Sequence, residues 1–322
     1  MLLHSFSILV GLVVLVWSAD RFISGAAALA SNLGVSPMLI GLTVVGFGTS
    51  APEVLVAAMA AINGNPGLAI GNAIGSNIAN IGLILGITAL VIPLSVHSSV
   101  LKREYPLLLG VTVICVVLMW DGNLSRFDGA VLFALLISVF SWMIYTAKTG
   151  KADPIAGEFD AEIPHDTPTK KALMLLFGGL LLLLISSHLL VWGATYVAVA
   201  LGVSDLVIGL TIVAIGTSLP ELAASITSAM KGEDDIAIGN VIGSNLYNIL
   251  AVLAIPGLVA PGQFSPSVLM RDLPVMFGMT LFLFLISYGF GKPGRINRTE
   301  GLGLLLCFIG YQSWLFYSLV SR

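Results

Sequence analysis

Apolar runs of about 20 residues, the length a helix needs to cross a hydrocarbon core of roughly 30 Å, recur along the whole chain. Ten can be drawn, at roughly 5–32, 37–62, 67–92, 101–120, 127–147, 171–198, 205–230, 235–258, 272–290 and 301–319. A backbone in lipid must satisfy its own hydrogen bonds, and runs this long do so as helices rather than as barrel strands. The residue usage agrees: 57% hydrophobic, 10% charged and a mean hydropathy of +1.02 lie far outside the range of a soluble chain of 322 residues. The expected fold is therefore an all-α polytopic membrane protein with ten transmembrane helices.

The same numbers exclude other classes. Cys115 and Cys307 are the two cysteines, both inside apolar runs; a disulfide framework is ruled out, and both read as small buried residues. The net charge is −3, and no basic run or aromatic-interleaved patch offers a surface for nucleic acid. The first run lacks a Lys or Arg in its leading residues, unlike a secretory signal. It also has a later counterpart, Ser18, Gly25 and Ala26 pairing with Ser186, Gly193 and Ala194, and is expected to belong to the mature protein.

That pairing belongs to a duplication. Residues 34–81 and 202–249 align without a gap at a constant offset of 168, with about half the positions identical: GVSPMLIGLTVVGFGTSAPE answers GVSDLVIGLTIVAIGTSLPE, and GNAIGSNIANI answers GNVIGSNLYNI. The longest polar stretch, at 148–171, lies between the fifth and sixth runs and reads as a linker. The chain thus divides into repeats 1–147 and 171–322 around a linker at 148–170. Five spans per repeat is an odd number, so the second copy enters the membrane from the opposite side, giving two inverted five-helix repeats.

Lys and Arg set the orientation. With the N-terminus outside, the cytoplasmic loops hold Lys102, Arg103, Lys148, Lys151, Lys170, Lys171, Lys231, Lys292, Arg295 and Arg298, against Arg126, Arg271 and Arg322 outside. Both termini are expected outside and the linker in the cytoplasm. Arg21, inside the first span, reads as a local partner of Asp20.

The chemistry sits in the duplicated segments. In Gly48-Thr49-Ser50-Ala51-Pro52-Glu53, Pro52 lacks an amide hydrogen and its ring clashes with the preceding turn, while Gly46 and Gly48 weaken the same stretch. The helix should be interrupted here, and such breaks survive in a membrane where the freed carbonyls face protein or a polar cavity. Gly216-Thr217-Ser218-Leu219-Pro220-Glu221 repeats the device. An unpaired Glu at the bilayer centre costs at least a few kcal/mol. With Arg21 assigned to Asp20, neither repeat offers an intramembrane Lys or Arg to neutralise Glu53 or Glu221, so the natural counter-charge is a bound cation.

In the third span Ser76 and Asn80 are four apart, on one helix face, and Ser244 and Asn248 repeat them in the eighth; this spacing makes them ligand candidates. Asn72, Asn77, Asn240 and Asn245 point elsewhere and read as amides bonding neighbouring helices. The candidate set is two carboxylates, two amides, six hydroxyls and loosened carbonyls, all oxygen, which suits hard cations such as Ca²⁺ and Na⁺. Glu233, Asp234 and Asp235 read as surface charge.

At these residues the chain resembles the sodium/calcium exchanger family, whose paired alpha repeats look like GTSAPE with GNAIGSNIAN and GTSLPE with GNVIGSNLYN. The resemblance covers essentially the whole chain. It implies that Thr49, Ser50, Glu53, Ser76 and Asn80, with Thr217, Ser218, Glu221, Ser244 and Asn248, form the Na⁺ and Ca²⁺ sites, with the carbonyls of Gly46 and Ala214 contributing to Na⁺ sites. It also implies that the long first and sixth helices slide across the other eight, and that Ca²⁺ and Na⁺ are transported substrates with no cofactor. Asn248 departs from it, standing where several members carry Asp. A Na⁺/Ca²⁺ antiporter in a prokaryotic plasma membrane is the expected function; a Ca²⁺/H⁺ antiporter of the same superfamily and, from another class, a cation channel are the alternatives.

Overall fold

The computed structural model describes residues 2–34, 45–64, 66–96, 101–149, 167–200, 214–287 and 294–320. The opening residues of both repeat motifs, 35–44 and 202–213, and most of the expected linker lie outside them. The helical runs fall on all ten expected spans. In chain order they are α1 (Leu2–Leu33), α2 (Gly46–Thr49) with α3 (Ala51–Ile62), α4 (Pro66–Ala79) with α5 (Gly86–Val91), α6 (Leu101–Leu118) and α7 (Arg126–Thr149). Then come α8 (Thr169–Ala200), α9 (Ala214–Thr217) with α10 (Leu219–Met230), α11 (Asp234–Tyr247) with α12 (Ala254–Val259), α13 (Leu273–Ser287) and α14 (Arg298–Val320). Six of these runs are long and apolar enough by themselves to cross a membrane.

Two short antiparallel pairings tie loops together: β1 (Leu94–Val96) with β4 (Gly294–Ile296), and β2 (Asn123–Leu124) with β3 (Gly262–Gln263). Six helical runs separate β1 from β4 and four separate β2 from β3. Paired loops must lie on the same side, and an even number of crossings satisfies that. Asp234 Oδ2 accepts a hydrogen bond from the Ser95 amide at 2.9 Å, again across an even number of runs. Asp234 is therefore a structural pin on β1 rather than the plain surface charge expected from the sequence; its carboxylate satisfies a strand amide that has no ladder partner on that side.

The packing separates into two bodies. One apolar cluster is built mainly from α1 and α8, including Leu15, Ala19, Phe22, Ile23, Leu176 and Leu183; the other gathers α3 to α7 and α11 to α14. Helices α1 and α8 lie antiparallel along their length, with His4 stacked on Tyr196 at one end and Gly25 against Leu176 at the other. Their backbones touch. A Cβ on Gly25 would stand 2.3 Å from Leu176 N, and one on Gly179 would stand 2.5 Å from Phe22 N, so only glycine permits this crossing. Cys115 is buried as expected, but Cys307 is exposed: it lies on the outward face of α14, where an apolar side chain can meet lipid instead of protein.

Candidate cation site

The two expected helix breaks are present and nearly identical. Ser50, between α2 and α3, has φ −82° and ψ 5°; Ser218, between α9 and α10, has φ −87° and ψ 3°. The break falls two residues before each proline, which then sits in the first turn of the following helix, where a missing N–H costs nothing. Glu53 and Glu221 follow in the same first turns, and both are fully buried.

The breaks bond reciprocally, each to the other copy. Ser50 Oγ donates to Glu221 Oε1 at 3.1 Å, and Ser218 Oγ donates to Glu53 Oε1 at 3.3 Å. Thr49 Oγ1 donates to Asn240 Oδ1 at 3.1 Å, and Thr217 Oγ1 to Asn72 Oδ1 at 3.4 Å. The same asparagines hold the carboxylate-bearing backbone: Asn240 Nδ2 donates to the Glu221 carbonyl at 3.1 Å, and Asn72 Nδ2 to the Glu53 carbonyl at 3.3 Å. Residues 168 apart in sequence thus converge on one buried constellation.

Every residue expected to hold a cation is buried here. The carbonyl of Gly46 accepts from Ser50 N and Ser244 Oγ, and that of Ala214 from Ser218 N and Thr217 Oγ1. Ser244 Oγ also reaches Glu221 Oε1 at 3.3 Å. Asn80 and Asn248 each open a π-helical stretch, Asn80–Leu85 and Asn248–Val252, at equivalent positions; single π turns inside α-helices are frequent at functional sites. Asn80 Nδ2 donates to Asn245 Oδ1 at 3.0 Å, which leaves Asn80 Oδ1 as the atom turned elsewhere.

Several of the buried side-chain atoms that lack a hydrogen-bond partner among the described residues belong to expected ligands. Glu53 Oε2, Glu221 Oε2, Ser76 Oγ, Asn80 Oδ1 and Asn248 Oδ1 are all among them. Leaving a buried polar atom unpaired costs about 1–3 kcal/mol, more for a charged group, and a bound cation would offset that cost at these five atoms, two of which belong to the glutamates themselves. Neither glutamate is in an ion pair among the described residues; the pairs found are Arg21–Asp20, Lys231–Asp20 and Arg271–Asp272. The arrangement can hold hard cations through oxygen alone.

Sequence reasoning assigned Asn72, Asn240 and Asn245 to helix–helix bonding, and they do bond neighbouring helices. It missed that Asn72 and Asn240 position the glutamates themselves. Asn77 instead bonds the Ala73 carbonyl of its own helix. It also missed Ser225, whose Oγ accepts from Asn240 Nδ2 at 2.9 Å. The signal for Ser225 is readable in the sequence as a difference between copies, because its counterpart is Ala57.

The family model described as sodium/calcium exchanger protein matches residues 4–145 and 171–317. The chain belongs to this family. Relatives include inner membrane protein YrbG of Escherichia coli (strain K12), 42% identical over 98% of this chain and 96% of that one. Another is sodium/calcium exchanger MaX1 of Methanosarcina acetivorans, 34% identical over 96% and 97%. Among solved structures, the sodium-calcium exchanger NCX_Mj soaked with Na⁺ and Ca²⁺ superposes with a TM-score of 0.81 at 35% identity, covering 96% of this chain and 97% of that chain. As a member of the sodium/calcium exchanger family this chain is a multi-pass membrane transporter, not an enzyme.

Proposed function

We propose that this exchanger moves Ca²⁺ against a counter-flow of Na⁺ by alternating access. In this reading Thr49, Ser50, Glu53, Ser76, Asn80, Thr217, Ser218, Glu221, Ser244 and Asn248, with the carbonyls of Gly46 and Ala214, hold the transported ions. The observation that carries it is the pair of fully buried glutamates, each, among the described residues, keeping one oxygen without a hydrogen bond and neither paired with a basic side chain. Two carboxylates balance one Ca²⁺ charge for charge. Na⁺ ions competing for the same oxygens make the two loads mutually exclusive, which is the condition for exchange.

The repeats 1–147 and 171–322 are taken as inverted copies that bring Glu53 and Glu221 to one midplane pocket, with 148–170 as a cytoplasmic linker and both termini outside. The names of MaX1 and NCX_Mj support sodium as the coupling ion. A prokaryotic inner membrane fits the name of YrbG.

Everted membrane vesicles loaded with Na⁺ should accumulate Ca²⁺ when diluted into Na⁺-free medium, and Glu53→Gln and Glu221→Gln should each abolish uptake. Uptake that survives both substitutions would sink the site assignment. Ca²⁺ uptake driven by a pH gradient with Na⁺ absent throughout would replace Na⁺ by H⁺ as the coupling ion.

A further inference from the structure

Outside the cation site, Lys231 makes a close set of polar contacts to α1. This residue follows α10 and leads into a turn at Gly232. Its Nζ lies 2.7 Å from Asp20 Oδ1 and donates to the Asp20 carbonyl at 3.2 Å and to Ser24 Oγ at 2.6 Å. Asp20 and Ser24 are one turn apart on α1, and Ser24 Oγ in turn donates to the Asp20 carbonyl at 2.7 Å. The contact therefore fastens α1 to the end of α10, a helix that bridges the two clusters, with Ala224 packed against α1 and α8 and Ala229 packed in the other body. Arg21 Nη1, 3.6 Å from Asp20 Oδ2, and the Trp17 ring beneath Arg21 complete its surroundings.

The duplication supplies the comparison. Gly64 and Gly232 occupy equivalent turns, with φ 73° and 77°, so Lys231 answers to Asn63. At the same offset Asp20 answers to His188 and Ser24 to Trp192. No hydrogen bond or ion pair joins Asn63 to His188 among the described residues, and α1 lies along α10 far more extensively than α8 lies along α3. Among the described residues, α1 and α10 close the Lys231 face, which is cytoplasmic by the Lys and Arg asymmetry of the loops, and the equivalent place on the other face is less extensively packed.

In an inverted-repeat transporter, alternating access comes from rigid-body rocking of one body against the other around a fixed site, so the opposite state has the two copies' contacts exchanged. We propose that Asp20, Ser24 and Lys231 form a one-sided latch. It stabilises the state closed at the cytoplasmic face, and the exchanged state, which would bring His188 and Trp192 to Asn63, has no charge pair to match it. The duplicated architecture alone would leave the two states near balance; the latch tips it. A contact biases an equilibrium only through its difference between states, and here the difference is written in the sequence. The inference rests on the alternating-access reading above.

The test uses spin labels on Ile62→Cys and Ile185→Cys in a Cys307→Ser background, with the protein in lipid nanodiscs. Ile62 precedes Asn63, Ile185 lies one turn from His188, and both are exposed. Distances are recorded at Na⁺ and Ca²⁺ concentrations where both a long and a short separation are populated. Asp20→Asn and Lys231→Gln should each raise the ratio of short to long about two- to fivefold, the range for one exposed ion pair. The exchange Asp20→Lys with Lys231→Asp should return the ratio toward its starting value, which a misfolded variant would not do. Asn63→Lys with His188→Asp, building the missing counterpart, should raise the short separation in the otherwise unaltered chain. An unchanged ratio in Asp20→Asn and Lys231→Gln overturns the latch while alternating access stands. A single distance that answers to neither ion overturns both.

Discussion

Replacing Asn240 by alanine removes three interactions at once: donation to the Glu221 carbonyl at 3.1 Å, donation to Ser225 Oγ at 2.9 Å, and acceptance from Thr49 Oγ1 at 3.1 Å. Its counterpart Asn72 makes two, both longer, at 3.3 and 3.4 Å. Interhelical hydrogen bonds in membranes average about 0.6 kcal/mol each. Asn240→Ala should therefore cost about 2 kcal/mol and Asn72→Ala about 1 kcal/mol or less, although the two residues share the same motif and both are fully buried. Ser225 accounts for part of the gap. In a Ser225→Ala background, the cost of Asn240→Ala should fall by about 0.6 kcal/mol.

Unfolding free energies from SDS titration in mixed micelles measure these differences directly. Because Asn240 holds the Glu221 backbone and the Thr49 hydroxyl together, most of the loss should also appear in Ca²⁺ binding. A 1 kcal/mol gap corresponds to about a fivefold difference in half-saturating Ca²⁺ between the two variants. Equal costs for Asn72→Ala and Asn240→Ala, or a cost for Asn240→Ala that ignores Ser225, would refute the view that the second copy's break is the more tightly positioned.

Asn248→Asp adds a third carboxylate to a wholly buried site; half-saturating Ca²⁺ should fall by about tenfold or more, while the protein without Ca²⁺ loses thermal stability, both read from melting curves across a Ca²⁺ series. Gly25→Ala sets a Cβ 2.3 Å from Leu176 N and should cost about 1–3 kcal/mol of overpacking strain, seen as a lower melting temperature, whereas Gly310→Ala, inside α14 with nothing within 4 Å of its Cβ position, should leave it unchanged or slightly higher. Asp234→Ala removes the acceptor of the Ser95 amide and should cost about 1.5 kcal/mol, the lower end for a hydrogen bond to a charged group, read as roughly tenfold faster hydrogen exchange at Ser95.

Much of the architecture was legible because membrane crossing leaves a strong length and composition signal. The helical runs at the expected positions and the breaks near Pro52 and Pro220 were legible from apolar run length and proline chemistry, and the duplication pointed to Glu53 and Glu221 as a pair. What escaped is of a different kind. The π turns at Asn80 and Asn248 depend on how a helix accommodates an extra residue under its neighbours, and no local propensity encodes that. Asp234 looked like solvated charge since nothing in its own segment reveals that the Ser95 amide, 139 positions away, needs an acceptor. The positioning role of Asn72 and Asn240 depends on which carbonyl lies opposite each amide, and that is fixed by packing. Ser225 was readable in principle, as a polar residue standing where the first copy has Ala57.

The two copies differ in the folded molecule in two ways with different origins. Asn240 with Ser225 against Asn72 with Ala57 is a difference of sequence, and it persists in any conformation. Ser244 against Ser76 is not: both sit in a GSN triplet on equivalent helices, yet Ser244 Oγ bonds Glu221 and the Gly46 carbonyl while Ser76 Oγ has no partner. Asn80 against Asn248 follows the same pattern, one amide bonded across to Asn245 and the other unpartnered. Where the local sequence is alike, the difference has to come from where the breaks stand relative to α4 and α11, which is a property of the state adopted. On the exchange argument, the opposite state should give Ser76 the partners that Ser244 has now and release Ser244, while the Asn240–Ser225 bond stays. The hydroxyls that change partners are among those proposed to hold the ions, so ion occupancy and the choice of open face draw on the same few hydrogen bonds, and a cation that favours one set of partners shifts the equilibrium by that preference alone.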